Sequence, residues 1–249
     1  MLFQRLLPDP GPVELAALLA GLGLGERAPA DRPYVVANFV ATLDGHVTVG
    51  GRSGPIGDDG DTELFHALRG QVDAVLVGTG TLATEHYGRL VARPERRAAR
   101  EALGLAPDPL GVTLTRSGVL PAGIPLLADE HSTLVVYAGA DVSLDPGTRA
   151  RVEVVGDADP ARALAHLSAE HGVRSVLCEG GPTLLAALTA AGLVDELFLT
   201  VAPLLAGGGG TPGLTAGSPL AIPAPLELRW VLERAGSLYL RHALARVAG

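Results

Sequence analysis

Short apolar runs rich in β-branched residues alternate with stretches of helical periodicity, and this alternation restricts the fold more than any other feature of the sequence. Parallel strands covered by helices on both faces read as continuous apolar runs, so the pattern predicts an α/β protein with a mostly parallel sheet. Strands are predicted at Tyr34–Ala41, Ala74–Val77, Leu110–Thr115, Thr133–Tyr137, Val152–Val154, Ser175–Cys178 and Glu196–Val201. Helices are predicted at Asp61–Arg69, Pro94–Leu103, Pro160–Glu170 and Pro182–Ala191.

The two ends of the chain have different patterns. Leu226–Glu233 and Ser237–Ala245 alternate apolar and polar residues, which predicts an antiparallel hairpin at the edge of the sheet. The apolar run Val13–Leu24 is predicted to form a short capping helix within an N-terminal extension of residues 1–32. This run is too short to span a membrane and contains Glu14, so we expect neither a signal peptide nor a membrane anchor. We predict one domain over residues 1–249.

Composition excludes several classes of protein. The net charge is -8, from 27 acidic and 19 basic residues, which gives no electrostatic reason to bind nucleic acid or an anionic membrane. All basic residues are Arg, so mechanisms that need a phosphate-loop Lys, a Schiff-base Lys or a Lys beside a catalytic Tyr are excluded in their usual form. The His residues and the single Cys178 show no metal-ligand spacing, and we predict a cytoplasmic protein without a metal.

The strongest local motif is Cys178-Glu179-Gly180-Gly181-Pro182-Thr183-Leu184, where a predicted strand turns over two glycines into a helix. Such a junction directs unpaired backbone N–H groups and the positive end of a helix towards a ligand, which suits a pyrophosphate. Thr183 adds a hydroxyl donor. The alternative is a tight turn that needs glycine for its geometry alone. We expect Glu179 to bind a polar group of the substrate, with a solvated or capping carboxylate as the alternative.

A second motif follows the predicted strand Ala74–Val77. Gly78-x-Gly80-x-x-Ala83 matches the glycine spacing of dinucleotide-binding folds. The acidic residue expected about 20 positions later is missing from a strand end, because Glu95 and Glu101 lie in a charged helical stretch. We therefore interpret Thr81 as a hydrogen-bond donor to the phosphate or nicotinamide part of a cofactor, at the end of a strand.

The third motif joins the strand end at Asp44-Gly45 to the glycine-rich loop Gly50–Gly57. A loop of this kind can cover a bound cofactor and bring Ser53 to the substrate. Asp44 has a second interpretation as a simple turn residue. Asp44 and Glu179 are the candidates for a general acid.

Together these segments resemble the pyrimidine reductases of riboflavin biosynthesis (the RibD C-terminal domain), whose pattern includes N-x-x-x-S-L-D-G, G-x-x-T-V, T-R-S-G and E-G-G-P-T-L. Later pieces of the family pattern stand here as Gly192-Leu193-Val194-Asp195-Glu196 and Pro203–Gly208. The resemblance extends over about residues 33 to 245. Several motifs in the same order are more specific than any one of them.

The resemblance implies a dihydrofolate-reductase-like three-layer sandwich that binds NADPH in extended form and passes hydride to the ribose-derived C1′ of a phosphorylated ribosylaminopyrimidine. It also implies a homodimer. The implied cofactor-binding residues are Val40, Thr81, Glu85, Arg116, Ser117, Gly180, Gly181, Pro182, Thr183 and Leu184. The implied substrate-binding residues are Ser53, Arg69 and Glu179. An Arg and a hydroxyl at Arg116-Ser117 favour the 2′-phosphate of NADPH over NADH.

The chain also departs from the family pattern. Where the family has an Asp followed by Pro, Leu and Arg, this sequence has Glu85-His86-Tyr87-Gly88-Arg89-Leu90, with Arg93 as a loose substitute. The sequence lacks the zinc-ligand motifs of a deaminase, so we expect a stand-alone reductase. Two other functions stay open: a reductase of the same fold that acts on a dihydropterin such as dihydrofolate, and a non-catalytic NADPH-binding protein.

Overall fold

The computed structural model describes residues 1–208, 212–220 and 222–245. Gly209 and Gly210 of the glycine run, and the last four residues of the predicted domain, lie outside the described residues. Backbone contacts divide the chain into two compact units. Unit 1 consists of Met1–Leu22, Val35–Leu68 and Pro182–Gly249, and unit 2 of Gly23–Tyr34 and Arg69–Gly181. The single-domain assignment stays a prediction.

The strands are β1 (Leu2–Leu7), β2 (Gly11–Glu14), β3 (Tyr34–Thr42), β4 (Ala74–Leu76), β5 (Leu110–Thr115), β6 (Thr133–Ala138), β7 (Arg151–Val155), β8 (Ser175–Cys178), β9 (Glu196–Ala202), β10 (Leu226–Arg234) and β11 (Ser237–Leu244). The α-helices are α1 (Leu15–Ala20), α2 (Asp59–Arg69), α3 (Thr79–Thr84), α4 (Pro94–Ala102), α5 (Pro125–Ala128), α6 (Pro160–His171) and α7 (Pro182–Ala190), with a 3-10 turn at Leu24–Arg27. Each strand and helix predicted in the sequence after residue 33 is present, with ends that differ by two residues at most.

The strands of unit 1 lie in the order β2-β1-β10-β11-β9-β3. β3 and β9 are parallel, with Val40 opposite Thr200, whereas the other neighbouring strands of this unit are antiparallel. Tyr239 on β11 lies opposite Thr200. Because paired residues point to the same face of a sheet, Val40, Thr200 and Tyr239 form one row of side chains.

The predicted C-terminal hairpin is confirmed as β10 and β11, but its predicted position at the sheet edge is wrong. β1 pairs with β10 and β2 pairs with β1, so two strands extend the sheet beyond the hairpin. Phe3 of β1 is buried and its ring lies 4.9 Å from the Tyr239 ring in an edge-to-face arrangement. The burial of Phe3 explains why this N-terminal segment adds strands to the sheet. The predicted capping helix is shorter than expected, as α1.

The strands of unit 2 lie in the order β8-β4-β5-β6-β7 and are all parallel. Their buried apolar side chains form the core that the β-branched runs predicted. α6 begins at an Asp159 cap, whose side chain accepts the Arg162 N–H at 3.0 Å, and ends at Gly172, whose φ is 63°. A left-handed residue at a helix end favours glycine, which is why the helix stops there.

Two short helices were not predicted. α3 follows β4 directly, and α5 is a single turn. α3 is made of Thr, Gly, Leu and Ala, and the Thr84 hydroxyl donates to the Gly80 carbonyl at 2.9 Å. Thr and Gly are poor helix formers, so the composition of this segment gave no helix signal.

Candidate active site

The three segments of unit 2 that carry predicted cofactor residues, around Gly180, Thr81 and Arg116, lie side by side at one sheet edge. β4 lies between β8 and β5, with Leu76 opposite both Cys178 and Val112. The chain leaves these strands at Glu179-Gly180-Gly181, at Gly78–Thr81 and at Arg116-Ser117. Neighbouring strands are about 4.8 Å apart, so this carboxyl edge extends about 10 Å from β8 to β5. Parallel α/β sheets bind ligands at such an edge.

The Gly180-Gly181 turn packs tightly against the segment after β4. A Cβ atom on Gly180 would lie 3.1 Å from the Gly78 nitrogen, and a Cβ atom on Gly181 would lie 3.3 Å from the Thr81 hydroxyl oxygen. Gly181 has a φ of +79°, which side-chain-bearing residues rarely adopt. Both glycines are therefore required by geometry. Thr81, expected at a strand end, lies beside this turn in the first turn of α3.

The thiol of Cys178 lies under the same turn. Burial raises the pKa of the Cys178 thiol to about 12, against a smaller lowering by a hydrogen bond from the Gly180 N–H. A thiol with this pKa stays protonated at neutral pH, so Cys178 is a core residue and not a nucleophile. The Gly180 N–H is directed to this sulfur, which leaves Gly181 and Thr81 as the polar groups of the turn nearest to an incoming ligand.

Arg116 and Ser117 end β5 at a tight turn. Both residues are exposed, and Ser117 Oγ accepts the Val119 N–H at 3.4 Å. Gly118 has a φ of +73°, and a Cβ atom there would lie 2.2 Å from the Asp141 carbonyl oxygen. Within the part of the chain that the structure describes, the Arg116 guanidinium forms no hydrogen bond or ion pair. It is therefore available to an anion.

Glu179, predicted to bind substrate, is buried in an ion pair with Arg69. Arg69 Nε donates to Glu179 Oε1 at 2.6 Å and Arg69 Nη2 donates to Oε2 at 2.7 Å, while the Tyr87 hydroxyl donates to Oε2 at 2.9 Å. Arg69 Nη1 donates to the Leu90 carbonyl at 2.8 Å. The side chain of Glu179 is 0% exposed and that of Arg69 is 7% exposed. The structure thus brings together Arg69 and Glu179, two residues predicted to bind the substrate, and pairs them with each other.

The electrostatics of this group fix the charge states of Arg69 and Tyr87. Burial opposes the charge on Arg69, but the attraction and hydrogen bonds of Glu179 outweigh it and raise the Arg69 pKa. Burial and the Glu179 charge raise the pKa of Tyr87 well above its usual value, so its hydroxyl stays a donor. Tyr87 lies in the segment that departs from the family pattern, and sequence reasoning gave it no role.

Arg100 fixes the end of α2 that carries Arg69. It is fully buried, and its Nη1 donates to the Arg69 carbonyl and, at 2.7 Å, to the Val72 carbonyl. Its Nε donates to the Ala106 carbonyl at 2.8 Å. The last carbonyls of a helix have no partner within the helix, so Arg100 satisfies one of them and holds Arg69 in place.

In unit 1, Asp44 anchors a loop. Its Oδ1 accepts the Thr42 hydroxyl at 2.5 Å and the Ala206 N–H at 3.1 Å, and its Oδ2 accepts the Gly207 N–H at 2.7 Å. These hydrogen bonds, the one from Thr42 foremost, hold the pKa of Asp44 well below its usual range. A carboxylate that stays ionised is a poor proton donor, which favours the interpretation of Asp44 as a turn residue.

The remaining predicted residues occupy varied positions. Val40 is half-buried on β3, Ser53 is half-buried in the loop before α2, and Glu85 ends α3. Pro182, Thr183 and Leu184 form the first turn of α7, as the start signal at Pro182 predicted. Their assignments to cofactor or substrate stay predictions.

Solved structures of known proteins share this fold. A pyrimidine reductase-like protein from Corynebacterium diphtheriae superposes with a TM-score of 0.79 at 23% identity, over 94% of this chain and 100% of that one. A diaminohydroxyphosphoribosylaminopyrimidine deaminase/5-amino-6-(5-phosphoribosylamino)uracil reductase from Thermotoga maritima superposes with a TM-score of 0.70 at 24% identity, over 86% of this chain and 57% of that one. The predicted α/β fold of the dihydrofolate-reductase-like type is confirmed.

The amino-acid sequence identifies the family. The RibD C-terminal domain matches residues 33–235. A relative from Archaeoglobus fulgidus, named 2,5-diamino-6-ribosylamino-4(3H)-pyrimidinone 5′-phosphate reductase, is 32% identical over 191 residues, which is 75% of this chain and 87% of that protein. The chain belongs to the RibD C-terminal domain family, as its motifs indicated.

The described residues contain neither a membrane-spanning helix nor a cluster of metal ligands. Among residues 1–208, 212–220 and 222–245, no helix is long and apolar enough to cross a membrane. The same residues contain no group of three or more His, Cys, Asp or Glu side chains placed to hold a metal ion.

Proposed function

We propose that this protein is an NADPH-dependent reductase that converts a ribosylaminopyrimidine 5′-phosphate into the ribitylamino compound. The observation that carries the proposal is the sheet edge of unit 2, where a glycine turn, a threonine hydroxyl and the exposed Arg116 follow three adjacent parallel strands. The family and the name of the Archaeoglobus relative support the substrate class.

The residues of this edge fit a phosphorylated dinucleotide. Gly180 and Gly181 leave no side chain between the turn and a ligand, and Thr81 offers a hydroxyl donor beside them. Arg116 and Ser117, two strands away, would bind the 2′-phosphate through a charged fork and a hydroxyl. Val40, Glu85 and the first turn of α7, Pro182–Leu184, are further proposed contacts.

When bound, NADPH supplies the hydride, which would add to C1′ of the ring-opened ribose. The ring oxygen that leaves C1′ when the ribose opens takes up one proton, which balances the reaction. The protein residues bind and orient the reactants, and such positioning supplies a large part of the rate enhancement. Arg69, Glu179 and Tyr87 act in this account as a buried, rigid support below the turn. Ser53 is the proposed substrate contact of the glycine-rich loop.

Arg116→Gln tests the cofactor assignment, with NADH as the internal control. Loss of a charged hydrogen bond to an exposed phosphate should raise the KM for NADPH about tenfold, because solvent screens part of the interaction. The KM for NADH should change little, since NADH lacks the 2′-phosphate. An equal change in both KM values, or in neither, would contradict the assignment.

We also propose that the protein is a cytoplasmic homodimer that binds neither nucleic acid nor membranes. Exposed leucines on two paired strands of unit 1 support a protein contact: Leu2 and Leu6 of β1, and Leu226 and Leu228 of β10. Exposed apolar groups of this kind are common at interfaces between copies of a chain. The net charge of -8 disfavours polyanionic partners. Sedimentation equilibrium of the full chain tests the dimer.

A further inference from the structure

Helix α3 carries Thr81 at the carboxyl edge of unit 2, but its own sequence stabilises it poorly. It has six residues, and no side chain caps its start at Gly78. Isolated helices of this length are unstable in water, and Thr and Gly are poor helix formers. The position of Thr81 therefore depends on contacts that hold α3 from outside.

The chain leaves α3 through a residue with an unusual backbone. His86 is exposed and has a φ of 48°, in the left-handed region that favours glycine. The next N–H, that of Tyr87, donates to the Leu82 carbonyl at 3.4 Å and closes the helix end. A side-chain-bearing residue keeps such a conformation only where the surrounding structure fixes it. The fixed neighbour here is Tyr87.

Tyr87 is held on three sides within unit 2. Its hydroxyl donates to Glu179 Oε2 at 2.9 Å, and its carbonyl accepts the Leu126 N–H of α5 at 2.8 Å. The guanidinium carbon of Arg69 lies 5.3 Å from the centre of its ring. Tyr87 is buried, so these contacts are shielded from water. The end of α3 is thus anchored by one side chain.

The Tyr87 hydroxyl joins the two segments that meet at the proposed cofactor edge. Glu179 directly precedes the Gly180-Gly181 turn, and Tyr87 follows the end of α3 by two residues. At the turn, a Cβ atom on Gly180 would lie 3.2 Å from the Thr81 hydroxyl oxygen. The spacing between the turn and Thr81 is therefore set at close range, and the hydrogen bond from Tyr87 to Glu179 ties both segments together behind it.

We propose that Tyr87 is a positioning residue for the cofactor, whose hydroxyl, through Glu179, holds Thr81 beside the Gly181 N–H so that both groups bind the same part of the dinucleotide. This inference rests on the proposed function. Because its hydroxyl is buried against Glu179, Tyr87 acts through the position of Thr81 and not by contact with the ligand.

Positioning of this kind affects binding more than the chemical step. Groups that hold a cofactor equally well in the ground state and the transition state lower KM and leave kcat unchanged. Thr81 and Gly181 would contact a part of the dinucleotide that NADPH and NADH share. Loss of the Tyr87 hydroxyl should therefore weaken both cofactors alike, whereas Arg116→Gln should weaken NADPH alone.

The first test is Tyr87→Phe, which removes the hydroxyl and keeps the ring. We expect the KM values for NADPH and NADH both to rise about fivefold to tenfold, with kcat changed by less than about twofold. Tyr137→Phe is the matched control, because Tyr137 is also buried in unit 2 and its hydroxyl lies 3.0 Å from His166 Nδ1. An unchanged KM in Tyr87→Phe, or an equal rise in the control, would overturn the proposal.

The second test shows whether Tyr87 acts through Thr81. Thr81→Val removes the hydroxyl that would contact the cofactor and should raise the KM for NADPH about tenfold. With no hydroxyl left to position, Tyr87→Phe/Thr81→Val should have the KM of Thr81→Val within about twofold. If the two increases multiply instead, the Tyr87 hydroxyl acts elsewhere and the proposal fails.

Hydrogen exchange of the unliganded protein measures the anchoring directly. Tyr87→Phe should speed exchange at the Leu82 and Glu85 amides, which donate to the Gly78 and Thr81 carbonyls, by about fivefold. Unchanged exchange in α3 would refute the anchoring role.

The wild-type protein separates failure of this inference from failure of the proposed function. Normal NADPH turnover by the wild type, with an unchanged KM in Tyr87→Phe, would refute the positioning role alone. Absence of NADPH binding by the wild type would refute the proposed function and the inference with it.

Discussion

Replacing Arg69 by Met removes the cation and leaves the Glu179 carboxylate buried without its bidentate partner. Removing one member of a buried ion pair costs about 3–5 kcal/mol, because the remaining charge stays desolvated. The Leu90 carbonyl also loses its donor, which costs about 1 kcal/mol. We expect a loss of about 5 kcal/mol, and a fall in Tm of about 15 °C for a chain of 249 residues.

Urea unfolding followed by circular dichroism measures this loss, and Arg69→Met/Glu179→Leu is the matched variant. The double variant has no buried charge at positions 69 and 179, so it should be about 2 kcal/mol more stable than Arg69→Met alone, even though the Tyr87 hydroxyl loses its acceptor. A loss below about 1 kcal/mol for Arg69→Met would refute the reasoning. It would mean that Glu179 is accessible, as a substrate-binding carboxylate must be.

Two further predictions concern the aspartates of unit 1. The pKa of Asp61 is raised by burial from 3.8 to about 6, so the stability that its protonated form contributes is present below about pH 4 and is lost as the pH rises through about 6. An amide at this position cannot ionise. In urea unfolding, Asp61→Asn should therefore be more stable than wild type by about 2 kcal/mol near pH 8 and equal to it near pH 4. The pKa of Asp44 is lowered, so its hydrogen bonds persist at neutral pH and weaken only when the pH falls below the usual pKa of an aspartate. Asp44→Ala should speed hydrogen exchange at the Ala206 and Gly207 amides at neutral pH. Unchanged exchange would contradict the anchoring role of Asp44.

Strands with a clear apolar or alternating run were predicted from the sequence, whereas β1 and β2 near the N-terminus were missed. Val75 and Leu177 lie in short apolar runs with clear limits, because both faces of these strands are covered. In Leu2–Leu7 Phe3 is buried but most residues are exposed, and the segment carries Gln4 and Arg5, so its sequence gave no clear strand signal. Its pairing with β10 is a long-range contact, which no local pattern encodes.

Long-range contacts also limited how much of the candidate site could be predicted from the sequence. The family resemblance implied that Thr81, Gly180 and Arg116 bind one cofactor, and the structure places them at one sheet edge because parallel strands deliver their carboxyl ends there. Glu179 meets Arg69 across 110 residues, so its burial was not predictable from its strand-end position. Asp61 was predicted only as the first residue of a helix after Gly57-Asp58-Asp59-Gly60, and its burial, which raises its pKa, was not predictable from that position.

The most direct test of the whole account is NADPH oxidation by the purified protein with the 2,5-diamino-6-ribosylamino-4(3H)-pyrimidinone 5′-phosphate, followed by the absorbance of the reduced nicotinamide and by identification of the product. We expect one equivalent of NADPH to be oxidised for each ribitylamino product formed. Oxidation with dihydrofolate alone would keep the cofactor edge and contradict the substrate. Absence of NADPH binding would contradict the central claim, that the Gly180-Gly181 turn and Arg116 form a cofactor site.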